Sequence, residues 1–445
     1  MESKSLKTIA LCLAVVLMTG SALTGCQSSP SSSAASDSTN TGNSAGSKLS
    51  GKLTIWSWGA GDEKTARESA VKVFKKEHSE LQITHVVLPS TVWDQKSDAA
   101  YAAGNAGDVM QMSPDYYGLN DKYYEDLAPY LKKENVNTDD IFIKGTFDDY
   151  KSPSGKLDGM PLVANCFIFA YNKSMFDKVG VAYPTDNWTW DDLARMAPKF
   201  VSGSGASETY CLADHWVLPN FALFAKGGLP YSEDFSQCLL GSKEVADGLD
   251  LFRTMVKNKS MPNDVQSKNL PAEQLFVSGK AAIYPMGGFE IAQVSKEIGN
   301  NFKWDAVLPP KITSSEKNSN VTYATGYAMN IASKNKNAAW QFLKEDAYEN
   351  NDMAKETAKS GMPANKVVAE SDFSKQIYGS VSAAKYVKGM ETSRLNPFGG
   401  ALATVGDQWN QMWQYATVSG MTGAETQQKY MPAIKDAFKK LNLKA

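Results

Sequence analysis

The sequence predicts an α/β protein in which strands and helices alternate, and three observations indicate this fold class. A β-α-β pattern opens the folded region, with an alternating strand at 53–58, an amphipathic helix at 62–77 and a second strand at 81–88. The apolar run 162–171 has the length of a strand that is buried on both faces. The chain left after removal of a signal segment, 420 of 445 residues, is long enough for two domains.

The first β-α-β unit also predicts where a ligand binds. Its two strands should be parallel with a right-handed crossover. In open α/β sheets, ligands bind at the carboxyl ends of the strands. Trp58 lies at such an end, and Asp115 and Tyr116 lie in the polar loop that follows a third short strand at 108–112. Capping the next helix is an equally good role for Asp115.

The middle of the chain is predicted to cross between two lobes. Asn165 is the only polar side chain inside the 162–171 run, so it must be hydrogen-bonded or face a wet cleft. A short helix follows at 173–179 and ends at Gly180. Thr189 and Asp192 have the spacing of a capping box that begins a new helix.

The later elements present further binding candidates. His215 and Trp216 come just before an apolar helix at 218–226, and His215 suits a buried core position as well as a cleft position. Gly288, Phe289 and Glu290 follow a strand; they offer close backbone approach and a flat ring, unless they form a plain turn. Further helices are predicted at 123–131, 245–256, 337–346 and 408–443, the last with a break at 419–420. Within that last segment, Trp409 and Trp413 share one face and are expected in the core.

The N-terminus predicts a lipoprotein. Residues 1–25 form the signal peptide, with Lys4 and Lys7 before an apolar run at 9–18 that is too short to span a bilayer. Cys26 follows directly and is the expected lipidation site, the alternative being a secretory signal with a chance cysteine. Residues 26–50 are the lipidated cysteine and a tether, since ten of residues 27–50 are Ser. The predicted location is the outer face of the bacterial cytoplasmic membrane, lipid-anchored at Cys26.

Composition excludes some partners. Without the signal peptide the chain has 44 basic and 47 acidic residues, a balance that gives no argument for nucleic acid as a partner.

The remaining cysteines and the ligand spacing bear on disulfides and bound groups. Cys166, Cys211 and Cys238 allow one disulfide at most, Cys211–Cys238, or else three buried thiols. Neither a metal nor a cofactor is expected, since metal-ligand spacing is lacking and residues 59–61 lack the third glycine of a dinucleotide fingerprint. Ten Trp and nineteen Tyr supply enough rings for a core and a carbohydrate-facing surface.

Several motifs, in order, resemble the family 1 extracellular solute-binding proteins of ATP-driven importers, the group that contains maltose-binding protein. The matching segments are 171–173 with Phe176, then 188–193, 279–282, 308–310, 332–335 with 338–343, and 361–364. The resemblance covers residues 52–445, and the departure from maltose-binding protein lies in the loops that touch ligand.

The resemblance implies a two-lobed, periplasmic-binding-protein-like (type II) α/β fold with a ligand cleft between the lobes. The strands that cross between lobes would lie near 164–167, 322–326 and 366–372. One discontinuous lobe would comprise 51–164 plus 325–368, and the other 165–324 plus 369–445.

The resemblance also implies a function. The expected protein is a monomeric binding lipoprotein, not an enzyme, that captures a sugar, such as an oligosaccharide, by hinge closure and delivers it to the permease subunits of an ABC transporter. From the residues themselves, Trp58, Tyr116, Trp216 and Phe289 are the candidates for stacking on sugar. By resemblance, Asp115, Asn165, Glu290 and Arg394 would bond sugar hydroxyls, although a surface salt bridge is the competing role for Arg394.

Two alternatives are kept. The first is the same fold with another cargo, such as glycerol phosphate, a polyamine or a metal chelate; a phosphate would need several Lys or Arg in the cleft, and the candidate loops contain few. The second is a surface enzyme that degrades polysaccharide, which would need a carboxylate pair such as Asp115 and Glu290 across the cleft.

Overall fold

The computed structural model describes residues 49–114, 121–152, 155–232, 236–267, 271–313, 320–399 and 402–441. Segment Lys48–Ala445 clusters as one compact unit. Among the described residues, no helix has the length and apolar character needed to cross a bilayer.

Ten strands form within the described ranges: β1 (Gly51–Trp58), β2 (Leu81–Leu88), β3 (Val109–Met112), β4 (Met160–Asn165), β5 (Phe167–Asn172), β6 (Tyr210–Leu212), β7 (Ala281–Gly287), β8 (Trp304–Val307), β9 (Asn320–Met329) and β10 (Ser393–Leu395). They make two sheets. One has the order β10-β9-β3-β1-β2, with β4 also paired to β9, and the other has the order β6-β7-β5-β8.

The helices lie between and around these strands. In chain order they are α1 (Gly61–Glu77), α2 (Ser90–Ala102), α3 (Ala128–Lys133), α4 (Thr138–Ile141), α5 (Lys173–Val179), α6 (Trp190–Met196), α7 (Leu218–Phe224), α8 (Lys243–Lys257), α9 (Asp264–Ser267), α10 (Ala272–Val277), α11 (Ile291–Ile298), α12 (Lys336–Lys344), α13 (Asn351–Thr357), α14 (Lys366–Ala369), α15 (Asp372–Tyr378), α16 (Ser380–Met390), α17 (Ala403–Thr417) and α18 (Gly423–Lys440). A π-helical turn, Glu345–Glu349, continues α12.

Most predicted elements are confirmed. β1 and β2 pair in parallel around α1, as the β-α-β pattern predicts. The Thr189–Asp192 capping box is present with both of its reciprocal hydrogen bonds. Trp409 and Trp413 are buried in the core, and the break between α17 and α18 falls at residues 418–422. The helix predicted at 123–131 is wrong in extent, because α3 begins only at Ala128, where Pro129 fits the first turn but could not continue a helix from before it.

The apolar run 162–171 is two strands rather than one. β4 belongs to the larger sheet and β5 to the smaller sheet, with Cys166 between them. Alternate β5 side chains enter two different core clusters, Phe167 and Phe169 in one and Ile168 and Ala170 in the other. The run is therefore buried on both faces, as its composition predicts, and the chain passes between sheets at Cys166.

The junction of β4 and β5 is fixed by a buried amide. Asn320 accepts a hydrogen bond from the Phe167 backbone N–H (3.1 Å) and donates one to the Phe167 carbonyl (2.8 Å). Asn320 is also the first residue of β9, which pairs with β4 in the larger sheet. The first residue of β5, in the smaller sheet, is thus hydrogen-bonded to the first residue of β9, in the larger sheet. Which residues belong to which lobe stays a prediction.

Candidate ligand-binding site

Four rings form an aromatic cluster where β5 begins: Phe167, Trp216, Phe289 and Tyr323. The Trp216 and Phe289 rings lie 6.3 Å apart at an interplanar angle of 24°. Phe167 is buried beneath them, with centroids 5.8 Å from Trp216 and 6.2 Å from Phe289. Trp216 is 55% exposed and Phe289 is 44% exposed, so the cluster presents two rings to solvent over a buried third.

The strand order explains why these rings meet. Trp216 lies after β6 and Phe289 lies after β7, and these two strands are parallel neighbours. Loops that follow adjacent parallel strands emerge at the same edge of the sheet. Tyr323 reaches the cluster from β9, with its ring 5.1 Å from that of Trp216. Trp216 and Phe289 therefore lie together at two strand ends, and their contact with a ligand stays a prediction; Tyr323 was not among the predicted residues.

His215 and Glu290 connect the two loops beneath the exposed rings. The His215 Nδ1 accepts the Val217 backbone N–H (3.1 Å), so a neutral imidazole carries its proton on Nε2 and donates it to Glu290 Oε1 (3.2 Å). Glu290 also accepts the Tyr284 hydroxyl (2.8 Å) and the Gly287 backbone N–H (2.7 Å). Three protein donors thus hold the Glu290 carboxylate. A direct bond from Glu290 to a ligand stays a prediction.

Burial and the Glu290 charge raise the pKa of the Tyr284 phenol far above its usual range, so it acts as a donor at all ordinary pH values. His215 is buried, as its predicted core position requires, and its ring lies 5.2 Å from that of Trp216; a contact with ligand stays a prediction. His215 and Glu290 therefore position the loops that carry Trp216 and Phe289.

Asn165 lies at the end of β4 and is enclosed by two glycines. Its Oδ1 accepts the Met362 backbone N–H at 3.2 Å. A Cβ added at Gly288 would lie 2.8 Å from that oxygen, and one added at Gly361 would lie 2.6 Å from the same amide. The Asn165 side chain therefore explains why glycine is needed at position 288, and the approach of a ligand to this backbone stays a prediction.

The larger sheet contributes polar groups that the sequence reasoning missed. Trp58 packs edge-on against Trp93 at 5.1 Å, and its backbone N–H donates to Gln111 Oε1 at 3.1 Å. Arg67 is only 1% exposed, and its Nη2 donates to Thr325 Oγ1 at 3.1 Å. Within the described residues, Arg67 Nε and Nη1 are buried without a hydrogen-bond partner.

These donors lie near a carboxylate. Burial raises the pKa of Glu63, against the opposing effect of the nearby Arg67 charge. One signal could have identified Arg67: it shares the helical spacing of Val71 and Phe74, which places it on the buried stripe of α1. A cation on an apolar stripe needs partners, and the stripe meets Thr325 on β9, two residues from Tyr323.

The remaining predicted site residues are placed as follows. Arg394 lies on β10, which pairs with β9. Its guanidinium lies 5.6 Å from the centroid of the Phe224 ring. Asn220, also missed, donates to the Tyr323 hydroxyl (2.8 Å) and to Asn396 Oδ1 (3.2 Å), which orients Tyr323. Asp115, Tyr116 and Cys26 lie outside the described residues.

The disulfide considered for Cys211 and Cys238 is not formed. Cys166, Cys211 and Cys238 are free thiols. Burial raises the pKa of the Cys211 thiol well above its usual range, as expected for an inert core cysteine.

A family model described as bacterial extracellular solute-binding protein matches residues 69–378. The chain belongs to the bacterial extracellular solute-binding proteins. This solute-binding protein is also similar to putative binding proteins of Brucella abortus and Brucella suis, each 25% identical over 316 residues, which is 69% of this chain and 74% of the relative.

Solved structures resemble the fold over nearly its whole length. An ABC substrate-binding protein of Listeria monocytogenes in complex with cycloalternan has a TM-score of 0.71 at 20% identity, covering 88% of this chain and 98% of the other. The sugar-binding protein MalE of Xanthomonas citri has a TM-score of 0.75 at 15% identity, covering 87% and 98%. The cyclic alpha-maltosyl-1,6-maltose binding protein of Arthrobacter globiformis has a TM-score of 0.71 at 16% identity, covering 88% and 100%. The predicted two-lobed α/β fold is thereby confirmed.

Proposed function

We propose that this solute-binding protein is the lipid-anchored receptor of an ABC importer, and that it captures a neutral oligosaccharide between its lobes. The observation that carries the proposal is the pair of half-exposed rings, Trp216 and Phe289, at the carboxyl ends of β6 and β7. Sugar rings have apolar C–H faces that pack on aromatic side chains, while their hydroxyls bond to nearby amides and charges. Arg67 on α1, Gln111 on β3 and Asn220 on α7 are buried polar groups of this kind, and Asn220 bonds to Tyr323 of the aromatic cluster.

The free energy available from the rings is adequate for capture. Covering about 100 Å² of each ring is worth about 2.5 kcal/mol at ~25 cal/mol per Å². Two rings then contribute about 5 kcal/mol of the ~8 kcal/mol that micromolar binding requires. Several hydrogen bonds would supply the rest, after the costs of ordering the ligand and closing the lobes.

Similar structures support the choice of cargo. The Listeria protein is in complex with cycloalternan, and the Arthrobacter protein is named for cyclic alpha-maltosyl-1,6-maltose. The Xanthomonas protein is named as sugar-binding. In this proposal the present chain shares that class of ligand, and its own loops select the particular glycan.

The junction between the sheets supports hinge closure. The chain passes from β4 to β5 at Cys166, and β9 is bonded to this point through Asn320. A few residues at such a junction can absorb the backbone rotation that closes two lobes on a ligand. In the proposal the closed form delivers its sugar to the permease subunits, and a lipid on Cys26 keeps the protein at the outer face of the membrane.

The alternative functions can be distinguished by the side chains that each of them would need. A charged solute, such as glycerol phosphate or a polyamine, would need opposite charges beside the rings. An enzyme acting on polysaccharide would need a free carboxylate pair, yet three protein donors already hold the Glu290 carboxylate. That arrangement favours binding over hydrolysis.

The test is a thermal-shift screen of the purified unit Lys48–Ala445 against neutral sugars, glycerol phosphate and spermidine. A ligand at about one hundred times its Kd should stabilise the fold by about 2.7 kcal/mol, a shift of several degrees. A shift with one glycan class and no new reducing ends supports the proposal. A shift with a charged solute alone, or release of reducing ends that depends on Glu290, overturns it.

The membrane anchor has a separate test. Mass spectrometry of the protein from the membrane fraction should find diacylglycerol on an N-terminal Cys26. A Cys26→Ser variant should leave the membrane fraction. An unmodified N-terminus at another residue would contradict the lipoprotein assignment without affecting the sugar assignment.

A further inference from the structure

The C-terminal end of α1 faces the π-helical turn Glu345–Glu349, and neither element contributes a residue to the aromatic cluster. Glu77 is the last residue of α1, and His78 is its C-cap. Glu77, His78 and Glu345 each bring one metal-ligating atom within 4.8 Å of the others. This set, called here the α1-end cluster, combines one imidazole nitrogen with two carboxylates.

Glu345 supplies an observation beyond the clustering. The residue is 6% exposed, and its Oε1 is hydrogen-bonded to Gln341 Nε2 (2.7 Å) and to His78 Nε2 (2.6 Å). Its Oε2 is buried with no partner among the described residues. A buried carboxylate oxygen without a donor is costly to the folded state. A bound cation would supply the missing interaction.

Glu77, at the surface, resembles Glu345 in that one of its carboxylate oxygens accepts a side-chain amide. Its Oε2 accepts the Asn350 side-chain amide at 2.8 Å. Each carboxylate of the α1-end cluster therefore has one oxygen held by an amide donor. Metal-ligating carboxylates commonly receive such hydrogen bonds from outer residues, which orient them. Glu77 and Glu345 both line a surface cavity of about 450 Å³, which gives an ion a route from solvent.

The local charge also favours a cation. α1 has 17 residues, and the carbonyl groups at its C-terminal end carry partial negative charge. Glu349 and Asp352 line the same cavity. Lys75 and Lys76 lie in the last turn of α1, whereas Lys344 is paired with Glu349 at 3.1 Å and with Glu134 at 3.3 Å. The His78 ring is oriented by Phe74, with centroids 4.3 Å apart.

We propose that Glu77, His78 and Glu345 bind a divalent transition-metal ion, for which Zn²⁺ is the best fit, with solvent completing the coordination. Zn²⁺ accepts mixed imidazole and carboxylate ligands at about 2.0–2.2 Å, whereas Ca²⁺ and Mg²⁺ prefer oxygen ligands alone. The His78–Glu345 hydrogen bond opens to admit the ion, and Glu345 turns its unpartnered Oε2 to the metal. The exposed Glu77 side chain moves in from the surface.

The site is structural. It links the end of α1 to the turn after α12, two elements far apart in the chain. Arg67, on the same helix, bonds to Thr325 of β9, so the linked helix is also joined to the larger sheet. Neither sugar binding nor hinge closure is needed for the metal to bind.

The test uses Zn²⁺ alone, with the unit Lys48–Ala445 and no sugar. Competition with a chromophoric chelator should give one Zn²⁺ per chain, and the melting temperature should rise with Zn²⁺. Glu77→Gln and His78→Asn should each weaken binding at least tenfold, and Co²⁺ should show a visible absorption band that these variants lose. Glu68→Gln is the matched control, because it removes an exposed carboxylate from the same helix.

The test needs no variant of the buried Glu345, because Glu77 is exposed and Glu77→Gln should retain the wild-type structure. Equal Zn²⁺ affinity in wild type, Glu77→Gln and Glu68→Gln would overturn the proposal. So would the absence of stoichiometric binding at micromolar Zn²⁺.

Discussion

Replacing Trp216 by alanine tests the aromatic cluster most sharply. The ring is 55% exposed and packs on Phe167 and Tyr323 along its buried side. Because a buried Trp contributes up to about 250 Å², the exposed part is roughly 140 Å², of which a sugar ring covers about 100 Å². At ~25 cal/mol per Å² the loss is about 2.5 kcal/mol, or about 70-fold in Kd.

The assay is isothermal titration of wild type and Trp216→Ala with the glycan found by thermal shift. Tyr183→Ala is the matched control, since Tyr183 is 39% exposed and packs on Tyr171 and Phe176 instead. The control should bind within about twofold of wild type. Equal affinity in all three proteins, with the variant folded, would refute the assignment of the cluster to ligand binding.

Three further predictions concern the groups around the site. Glu290→Gln should lower the free energy of unfolding by about 1–3 kcal/mol in urea titrations, because the carboxylate accepts three hydrogen bonds and a new NH₂ would face one of these donors. Asn320→Ala should cost about 3 kcal/mol by the same assay, because the Phe167 N–H and carbonyl lose their buried partner. His85→Asn should reduce acid sensitivity, since burial lowers the pKa of His85 from 6.5 to about 4 in the folded chain. The unfolded chain therefore gains a proton first, and wild type should lose up to about 3 kcal/mol of stability between pH 6.5 and 4 that the variant keeps.

Each of these has a contradicting result. Glu290→Gln with unchanged stability would mean that the loops carrying Trp216 and Phe289 are held by packing alone. If Asn320→Ala lowered the free energy of unfolding by less than about 0.5 kcal/mol, the Asn320 side chain would not be what stabilises the junction of β4, β5 and β9. Parallel pH–stability curves for wild type and His85→Asn would show that His85 titrates alike in both states.

The fold was largely predictable because local patterns and tertiary burial agree. The alternating residues of β1 and the stripe of α1 define one β-α-β unit, and the structure pairs its strands in parallel. The capping box depends on Thr189 and Asp192, only three positions apart, so local sequence is enough to indicate it. Where long-range geometry decides, the residue pattern alone was insufficient: nothing in the run 162–171 marks Cys166 as the point where the chain changes sheets, and only the family resemblance indicated a crossing near 164–167.

The site was predictable in part for the same reason. Trp216 and Phe289 follow strand ends, and the parallel pairing of β6 and β7 brings them together. Arg67, Gln111 and Asn220 were missed because their hydrogen-bond partners lie 53 or more residues away in the chain. Glu290 was expected at the ligand, but its role as an acceptor for His215, Tyr284 and Gly287 depends on how two loops fold back together.

The most direct measurement of the central claim is the salt dependence of ligand affinity. Isothermal titration of the unit Lys48–Ala445 with the best ligand would be carried out at about 0.05 M and about 0.5 M NaCl, between which the Debye length falls roughly threefold. A neutral oligosaccharide held by the aromatic cluster should keep its Kd within about twofold. A Kd that weakens by an order of magnitude or more, with a phosphate or polyamine as the best ligand, would contradict the account.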